Sequence, residues 1–379
     1  MVDYLRELPV RIGIDSSRLT TAHRTGTEQY TYELLAALAR YDQQTAFTLY
    51  SSTLPALPPL GANFALCTIP FPRLWTHLRL SAELVAHPPD VLFVPAHVLP
   101  AATPLLRRTR AVVTIHDLGY LHVPEGHTRA QQLLLRITTA WSARVADAII
   151  VPSHATRQDL VTHTRTDPAR IHVIPHGTRF ASTPPPPPAP VVRPYLLYVG
   201  TLQPRKNLVR LVEAFARIAP QHPDLDLWLV GRRGWLAAPI VARISALGLQ
   251  DRVRLPGYVS DAELPAIYAA ASAFVFPSLY EGFGMPVLEA MARGVPVLTS
   301  ASSSLPEVAG DAALLVDPND VGQIASAMQR LVTDPVVRQD LRMRGLARAA
   351  RYSWDACAAA TMAVVRGAGR GRHSDDAPA

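Results

Sequence analysis

The sequence predicts an α/β protein made of two doubly wound parallel sheets, one in each half of the chain. Three observations carry that expectation. At 379 residues the chain exceeds what one hydrophobic core ordinarily serves. Short β-branched runs alternate with longer amphipathic stretches throughout, as parallel strands covered by helices require. Between the halves lies Ser182-Thr-Pro-Pro-Pro-Pro-Pro-Ala-Pro190, an extended proline run that joins neither a helix nor a central strand. The chain accordingly divides into an N-terminal Rossmann-like domain at 1–183, a linker at 184–190 and a C-terminal domain at 191–351. A last helix at 352–367 and a Gly/Arg/Asp/Pro-rich tail at 368–379, expected to be disordered, complete it.

In the first half, apolar runs place strands at 10–14, 47–50, 91–94, 111–115, 148–151 and 171–174. A helix at 27–41 follows the first of them, and Ser153 is the expected cap of a helix beginning near His154. In the second half, strands fall at 195–199, 226–230, 253–255, 273–276, 296–299 and 313–316, with helices at 208–219, 261–271 and 286–293. Ser353 can cap the last helix, with Trp354 and Val364 as apolar anchors. Sheets of this kind bind ligands beyond the carboxyl ends of their strands. Two of them facing each other would place one site in the cleft between.

Composition narrows the function. Apolar residues make up 49% and charged residues 18%, which excludes global disorder. The net charge of +7 comes from 17 basic against 13 acidic residues in 1–187 and 20 against 17 in the remainder. The excess is spread over both halves rather than gathered into a nucleic-acid-binding arm. It suits anionic small molecules or an anionic membrane surface. Two cysteines, Cys67 and Cys357, form no disulfide framework and no metal spacing. Met1–Asp15 lacks a charged segment followed by an apolar one, and no apolar stretch is long enough to span a bilayer. The expectation is a cytoplasmic chain. Phe71-Pro-Arg-Leu-Trp-Thr-His-Leu-Arg-Leu80 has the mixture of an interfacial helix that would attach it peripherally to the inner face of the membrane. The same mixture also fits an ordinary amphipathic helix covering a sheet.

Of 37 basic residues, a single one, Lys206, is lysine. An arginine-rich genome explains the arginines and singles out the lysine, because a compact ammonium and a planar guanidinium are not interchangeable. Lys206 stands in Tyr195-Leu-Leu-Tyr-Val-Gly-Thr-Leu-Gln-Pro-Arg-Lys-Asn-Leu208, where a strand runs into Gly200 and a short loop presents Arg205 and Lys206. Asn207 would cap the next helix. Two cations at a strand end suit a departing diphosphate better than a merely solvated turn.

The densest segment is Phe276-Pro-Ser-Leu-Tyr-Glu-Gly-Phe-Gly-Met-Pro-Val-Leu-Glu-Ala-Met-Ala-Arg-Gly294. A strand ends at Phe276, a turn holds Gly282 and Gly284, and a helix starts near Pro286 and stops before Gly294. Gly284 and Met285 sit where helix N–H groups and the positive end of the dipole favour phosphate. Glu281 precedes the helix and Glu289 lies about one turn inside it, so the two can touch separate parts of one extended ligand. A capped surface turn would explain one Glu-Gly pair, and less readily the whole set.

In the first half, Thr25-Gly-Thr-Glu-Gln-Tyr30 follows the first strand, and Gly26 would let backbone approach a ligand. One glycine stands where a dinucleotide fingerprint needs three, which argues against a nicotinamide enzyme. Ala111-Val-Val-Thr-Ile-His-Asp-Leu-Gly119 puts His116 and Asp117 directly after a buried strand, where a histidine can donate a hydrogen bond or move a proton. The remaining histidines, among them His122, His127, His154, His163, His172 and His176, form no convincing metal motif, so no metal is assigned.

Together these segments resemble a retaining glycosyltransferase of family 4, with the two-domain GT-B fold. Glu281 and Glu289 are similar to that family's Glu-x7-Glu motif, and Val199–Asn207 resembles its donor-phosphate loop. The order of the Gly26 loop, His116-Asp117, Val173-Ile-Pro-His-Gly177, Val230-Gly-Arg232 and Pro256-Gly-Tyr-Val259 is also similar. The resemblance implies that the final helix returns to pack on the N-terminal domain. It implies that Glu281 contacts donor-sugar hydroxyls and Glu289 the ribose. Arg205 and Lys206 would bind the diphosphate with help from the turn at Phe283, Gly284 and Met285. Gly26 would approach the phosphates, His116 would lie near the donor sugar, and Tyr258 and Val259 would meet the nucleobase. The implied partners are a nucleotide sugar (GDP-mannose first, a UDP-hexose second) and a saccharide or lipid-linked saccharide acceptor in cell-surface glycan synthesis, with no nucleic acid, no cofactor and no catalytic metal. Two departures stand out: Thr201, where many members have Arg, and His176, where many have Asn. The competing readings are a nucleotide-sugar epimerase, a phosphorylase and a catalytically silent sugar-nucleotide-binding scaffold.

Overall fold

The computed structural model describes residues 10–20, 24, 26–126, 128–180, 193–234 and 237–370. Thr25, His127, the proline linker at 184–190 and the tail from 371 onward lie outside the described residues. The described chain falls into two compact units. One comprises residues up to 116, 133–177 and 354 onward; the other comprises 117–132 and 178–353.

The first unit holds seven parallel strands in the order β3-β2-β1-β4-β5-β6-β7. They are β1 (Arg11–Asp15), β2 (Ala46–Ser51), β3 (Phe64–Thr68), β4 (Val91–Val94), β5 (Arg110–Thr114), β6 (Ala148–Val151) and β7 (Ile171–Val173). β4 and β6 are buried along their whole length, as expected of strands covered on both faces. β3 is the element absent from the expectation. It is an edge strand whose residues are mostly exposed, although Phe64-Ala-Leu-Cys67 is a run of four apolar residues. Its register on β2 is held by Phe64 stacked on Phe47 at 4.5 Å.

The second unit holds six parallel strands in the order β10-β9-β8-β11-β12-β13. These are β8 (Tyr195–Val199), β9 (Asp226–Val230), β10 (Val253–Gly257), β11 (Ala273–Phe276), β12 (Val297–Ser300) and β13 (Ala313–Val316). Helix Leu208–Ile218 lays Leu208, Leu211, Val212, Phe215 and Ile218 on the sheet, the apolar stripe that its three- and four-residue spacing dictates. Each fully buried Leu or Phe of this kind contributes about 1.5–3 kcal/mol.

The last helix, Trp354–Arg370, packs on helix Gly26–Tyr41 within the first unit. Arg40 pairs with Asp355 at 2.6 Å and Arg366 with Asp42 at 2.5 Å. The helix runs three residues past its expected end, so residues 368–370 are helical rather than part of a disordered tail. Gly369 passes so close to β4 that a Cβ there would lie 3.2 Å from Val91. In the 71–80 segment, Thr76–Leu80 forms a π-helical turn that leads into helix Ser81–Ala86. Phe71, Leu74 and Leu78 are exposed, but Trp75 is buried and donates its indole N–H to the Ile69 carbonyl at 2.8 Å. The tryptophan therefore packs into the body of the unit. Among the described residues no helix is long and apolar enough to cross a membrane.

Candidate functional site

In each sheet the strand order reverses once, between β1 and β4 and between β8 and β11, and loops diverge at such points to leave a crevice. At the second reversal, β8 ends in Gly200 and continues through Leu202 into a single 3-10 turn, Pro204–Lys206. Asn207 follows in the left-handed region (φ 61°). It occupies the N-terminal boundary of helix Leu208–Ile218, but its side chain makes no cap. The amide instead donates to the carbonyls of Pro277 at 3.0 Å and Pro318 at 2.6 Å. A cap would need the side-chain oxygen as acceptor, and Oδ1 instead accepts from Arg210 Nη1 at 3.0 Å. The cation loop is thereby tied to the chain leaving β11 and β13.

That tie sets Arg205 and Lys206 against Glu281. Lys206 Nζ donates to Glu281 Oε1 at 2.6 Å, and Arg205 Nη1 donates to Oε2 at 3.0 Å and to the Tyr280 carbonyl at 2.9 Å. The backbone amide of Glu281 donates to Ser303 Oγ, while Ser304 Oγ donates to the carbonyls of Glu281 and Phe283. Burial pushes the Glu281 carboxyl up, but Arg205 and Lys206 outweigh it and hold it below the ordinary glutamate range. Burial also lowers the Lys206 ammonium, and the Arg205 charge adds to that, against the raising effect of Glu281. Glu281 thus bridges two cations in a site largely withdrawn from water, with the Asp117 carboxylate acting on both as a weaker second charge.

Gly284 initiates helix Met285–Ala292 with φ 111°, a left-handed conformation that favours glycine. Its first amides lack i−4 partners by helix geometry, and those of Gly284 and Met285 follow Glu281 by three and four residues. Phe283 is buried, 5.9 Å from the Tyr352 ring. Glu289, one turn into the helix, belongs to a separate network. Arg179 Nε donates to its Oε1 at 2.8 Å, and Tyr268 donates its hydroxyl to Oε2 at 3.1 Å. Arg179 also pairs with Asp261 at 2.9 Å. Glu281 therefore meets the Arg205 and Lys206 cations and Glu289 meets Arg179 and a tyrosine hydroxyl, in accord with their separation along the turn. Arg179 escaped the sequence reading because its partner lies 110 residues away, a distance at which no local pattern registers. Tyr258 stands half-exposed after β10, with Val259 beside it.

Residues 117–122 also belong to this unit. Asp117 accepts from the Gly119 amide at 2.9 Å, and a Cβ on Gly119 would lie 3.2 Å from Arg205. His122 stacks on Tyr280 at 4.3 Å.

In the first unit, Gly26 opens helix Gly26–Tyr41 and His116 follows β5. His116 Nε2 lies 3.0 Å from the Pro95 carbonyl. A carbonyl can only accept, so Nε2 carries the proton. The His116 backbone amide donates to His97 Nε2 at 3.1 Å. His97 follows β4 as His116 follows β5, a parallel in the sequence that would have marked it. His176 packs in the same ring cluster, 4.6 Å from Tyr30 and 5.9 Å from Trp354. Burial, then the nearby His116, depresses its pKa well below the usual value. An aromatic environment thus accounts for an imidazole where family members often carry Asn. His154 begins a helix capped by Ser153, whose Oγ accepts from the Thr156 amide at 3.1 Å.

Comparison with known proteins gives two family matches. Residues 24–181 match the family described as Glycosyltransferase Family 4, and residues 183–348 match Glycosyl transferases group 1. O-antigen chain mannosyltransferase B of Escherichia coli is 35% identical over 267 residues, covering 68% of this chain and 70% of that protein. MMP alpha-(1->4)-mannosyltransferase of Mycolicibacterium hassiacum is 34% identical over 59% of this chain, which spans 54% of its length. Among solved structures, sucrose-phosphate synthase from Thermosynechococcus elongatus superposes with a TM-score of 0.77 at 24% identity, covering 94% of this chain and 98% of that one. At that identity the likeness concerns the fold.

Proposed function

The chain belongs to glycosyltransferase family 4 and has the two-domain GT-B fold, and on that premise we propose that it moves a mannosyl residue from GDP-mannose to a saccharide or lipid-linked saccharide acceptor, with retention of anomeric configuration. The observation that carries the reading is the cluster of Arg205, Lys206 and Glu281 at the β8/β11 reversal, beside the N-terminus of helix Met285–Ala292. The choice of mannose rests on the two mannosyltransferases to which the chain is similar.

In this mechanism the sugar–phosphate bond breaks as the diphosphate takes up its electron pair. Arg205, Lys206 and the amides of Gly284 and Met285 neutralise the charge that develops. Glu281 accepts hydrogen bonds from donor-sugar hydroxyls once the diphosphate has taken its place on the cations. Glu289, oriented by Arg179 and Tyr268, receives the ribose hydroxyls, and Phe283 shapes the turn above the phosphates. No side chain is assigned as a nucleophile. The acceptor oxygen bonds to the anomeric carbon on the face that the diphosphate leaves, and its proton passes to the departing phosphate oxygen. Gly26 and His116 of the first unit are assigned to the donor phosphates and sugar by family resemblance. Fixed cations make a metal unnecessary in this scheme. The place of reaction is the cytoplasm or the inner face of the cell membrane.

The test is transfer of labelled mannose from GDP-mannose to a panel of mono- and oligosaccharide acceptors, beside UDP-glucose as competing donor. Lys206→Ala should lower turnover by about 10²–10³, the loss expected on removing one fixed donor to a developing oxyanion. Near-normal transfer by that variant would overturn the assignment. Binding of the nucleotide without turnover on any acceptor would favour a silent scaffold, and conversion of the free sugar nucleotide would favour an epimerase.

A further inference from the structure

The strand ends beyond the β8/β11 reversal place an arginine where a nucleobase would arrive. The Gly231 amide donates to the Gly257 carbonyl at 2.8 Å, and the Leu202 amide donates to the Arg232 carbonyl at 2.9 Å. Arg232 is thus held by its backbone between the β8 loop and the end of β10. Its guanidinium carbon lies 5.3 Å from the ring centroid of Tyr258, a residue 41% exposed, within cation–π range.

Position along the sheet supplies the next step. Moving outward from the phosphate cluster at β8, the order is β9 and then β10. With neighbouring strands ~4.8 Å apart, Tyr258 at the end of β10 stands ~10 Å from the β8 loop. A nucleoside diphosphate with its phosphates on Arg205 and Lys206, laid along the carboxyl edge, would bring its base to Arg232 and Tyr258. Guanine offers two acceptors on one edge, O6 and N7, which match the paired N–H groups of a guanidinium. Adenine puts an amino donor where O6 would be, and uracil has no N7.

We propose that Arg232, held over Tyr258, reads the O6/N7 edge of guanine and makes the site selective for guanosine diphosphate sugars. The inference deepens the GDP-mannose reading and rests on it. Tyr258 supports the guanidinium from below, and Arg232 supplies the discrimination. A lysine at 232 would keep the charge and lose the paired geometry.

Calorimetric titration of the full chain with GDP, ADP, UDP and 7-deaza-GDP tests this. The native chain should bind GDP about 5- to 150-fold more tightly than ADP, the range of one bidentate arginine contact, and should bind 7-deaza-GDP more weakly than GDP. Arg232→Ala and Arg232→Lys should both abolish the preference for GDP over ADP and over 7-deaza-GDP, while inorganic pyrophosphate binds both variants as it binds the native chain. If the native chain prefers GDP and Arg232→Ala retains that preference, this inference fails and the donor reading stands. If the native chain prefers UDP, the donor reading fails and takes this inference with it.

Discussion

Glu281 balances two cations with one carboxylate, at 2.6 Å from Lys206 and 3.0 Å from Arg205. Surface pairs of this sort contribute little, but the Glu281 and Lys206 side chains are only 8% and 10% exposed. Their charges therefore interact in a poorly solvated setting. A diphosphate that takes up the N–H groups now bonded to Glu281 displaces the carboxylate from them, so in the proposed mechanism Glu281 opposes binding of the bare nucleotide while serving the sugar. Glu281→Gln should accordingly tighten GDP by about tenfold, ~1.4 kcal/mol, and slow mannosyl transfer by about 10²-fold. Calorimetry with GDP and a turnover assay on the same preparation separate the two effects, and a variant that binds GDP more weakly would refute the displacement. Lys206 was legible in the sequence because it is the chain's sole lysine, and Glu281 because its turn carries two glycines and a helix start. Arg179 and the serines at 303 and 304 were not, since each acts on a residue far along the chain.

Strand ends, more than strands, set the geometry of the second unit. Gly231 has φ 141°, and a Cβ there would lie 2.1 Å from the Gly200 carbonyl oxygen and 2.7 Å from its carbon. Both contacts are with backbone, so no side-chain rotation relieves them. Gly231→Ala should therefore destabilise the chain by at least ~2 kcal/mol, backbone strain and steric displacement adding together. It should weaken GDP binding further, because Leu202 and Arg232 are joined at that point. Chemical denaturation checks the first effect, and an unchanged midpoint would mean that the two loops separate freely. The sequence places the central strands β4, β6, β8, β9 and β11, and the edge strand β13, at their observed bounds; the central ones are mainly apolar because both of their faces are covered. β3 went unread although Phe64-Ala-Leu-Cys67 is itself an apolar run, and the Asn207 side chain was misplaced because its acceptors lie 70 and 111 residues away.

On the scale of the whole molecule, the two-sheet architecture follows from alternation repeated on either side of a proline run, which is why it could be read before any contact was known. How the cations are partnered could not, because charge counts do not say which arginines are already spoken for. Most of the +7 excess is distributed, and within the second unit Arg193, Arg252 and Arg254 surround the buried Asp226 at the amino end of β9. Arg205 and Lys206 are different: both bond to Glu281 at the carboxyl end, where the diphosphate is proposed to bind. Their presence also bears on metal dependence. A divalent cation would have to approach Glu281 against two positive charges within 3.0 Å of its oxygens, which disfavours that carboxylate as a ligand. In the proposed mechanism leaving-group charge is neutralised by side chains and helix amides rather than by a metal bridging the phosphates. Transfer from GDP-mannose should persist in excess EDTA within about twofold of its untreated rate, and millimolar Mg²⁺ should not raise it, whereas a metal acting as Lewis acid would be worth several kcal/mol. A loss of tenfold or more on chelation, restored by Mg²⁺, would assign the diphosphate charge to a metal and reduce Arg205 and Lys206 to positioning Glu281.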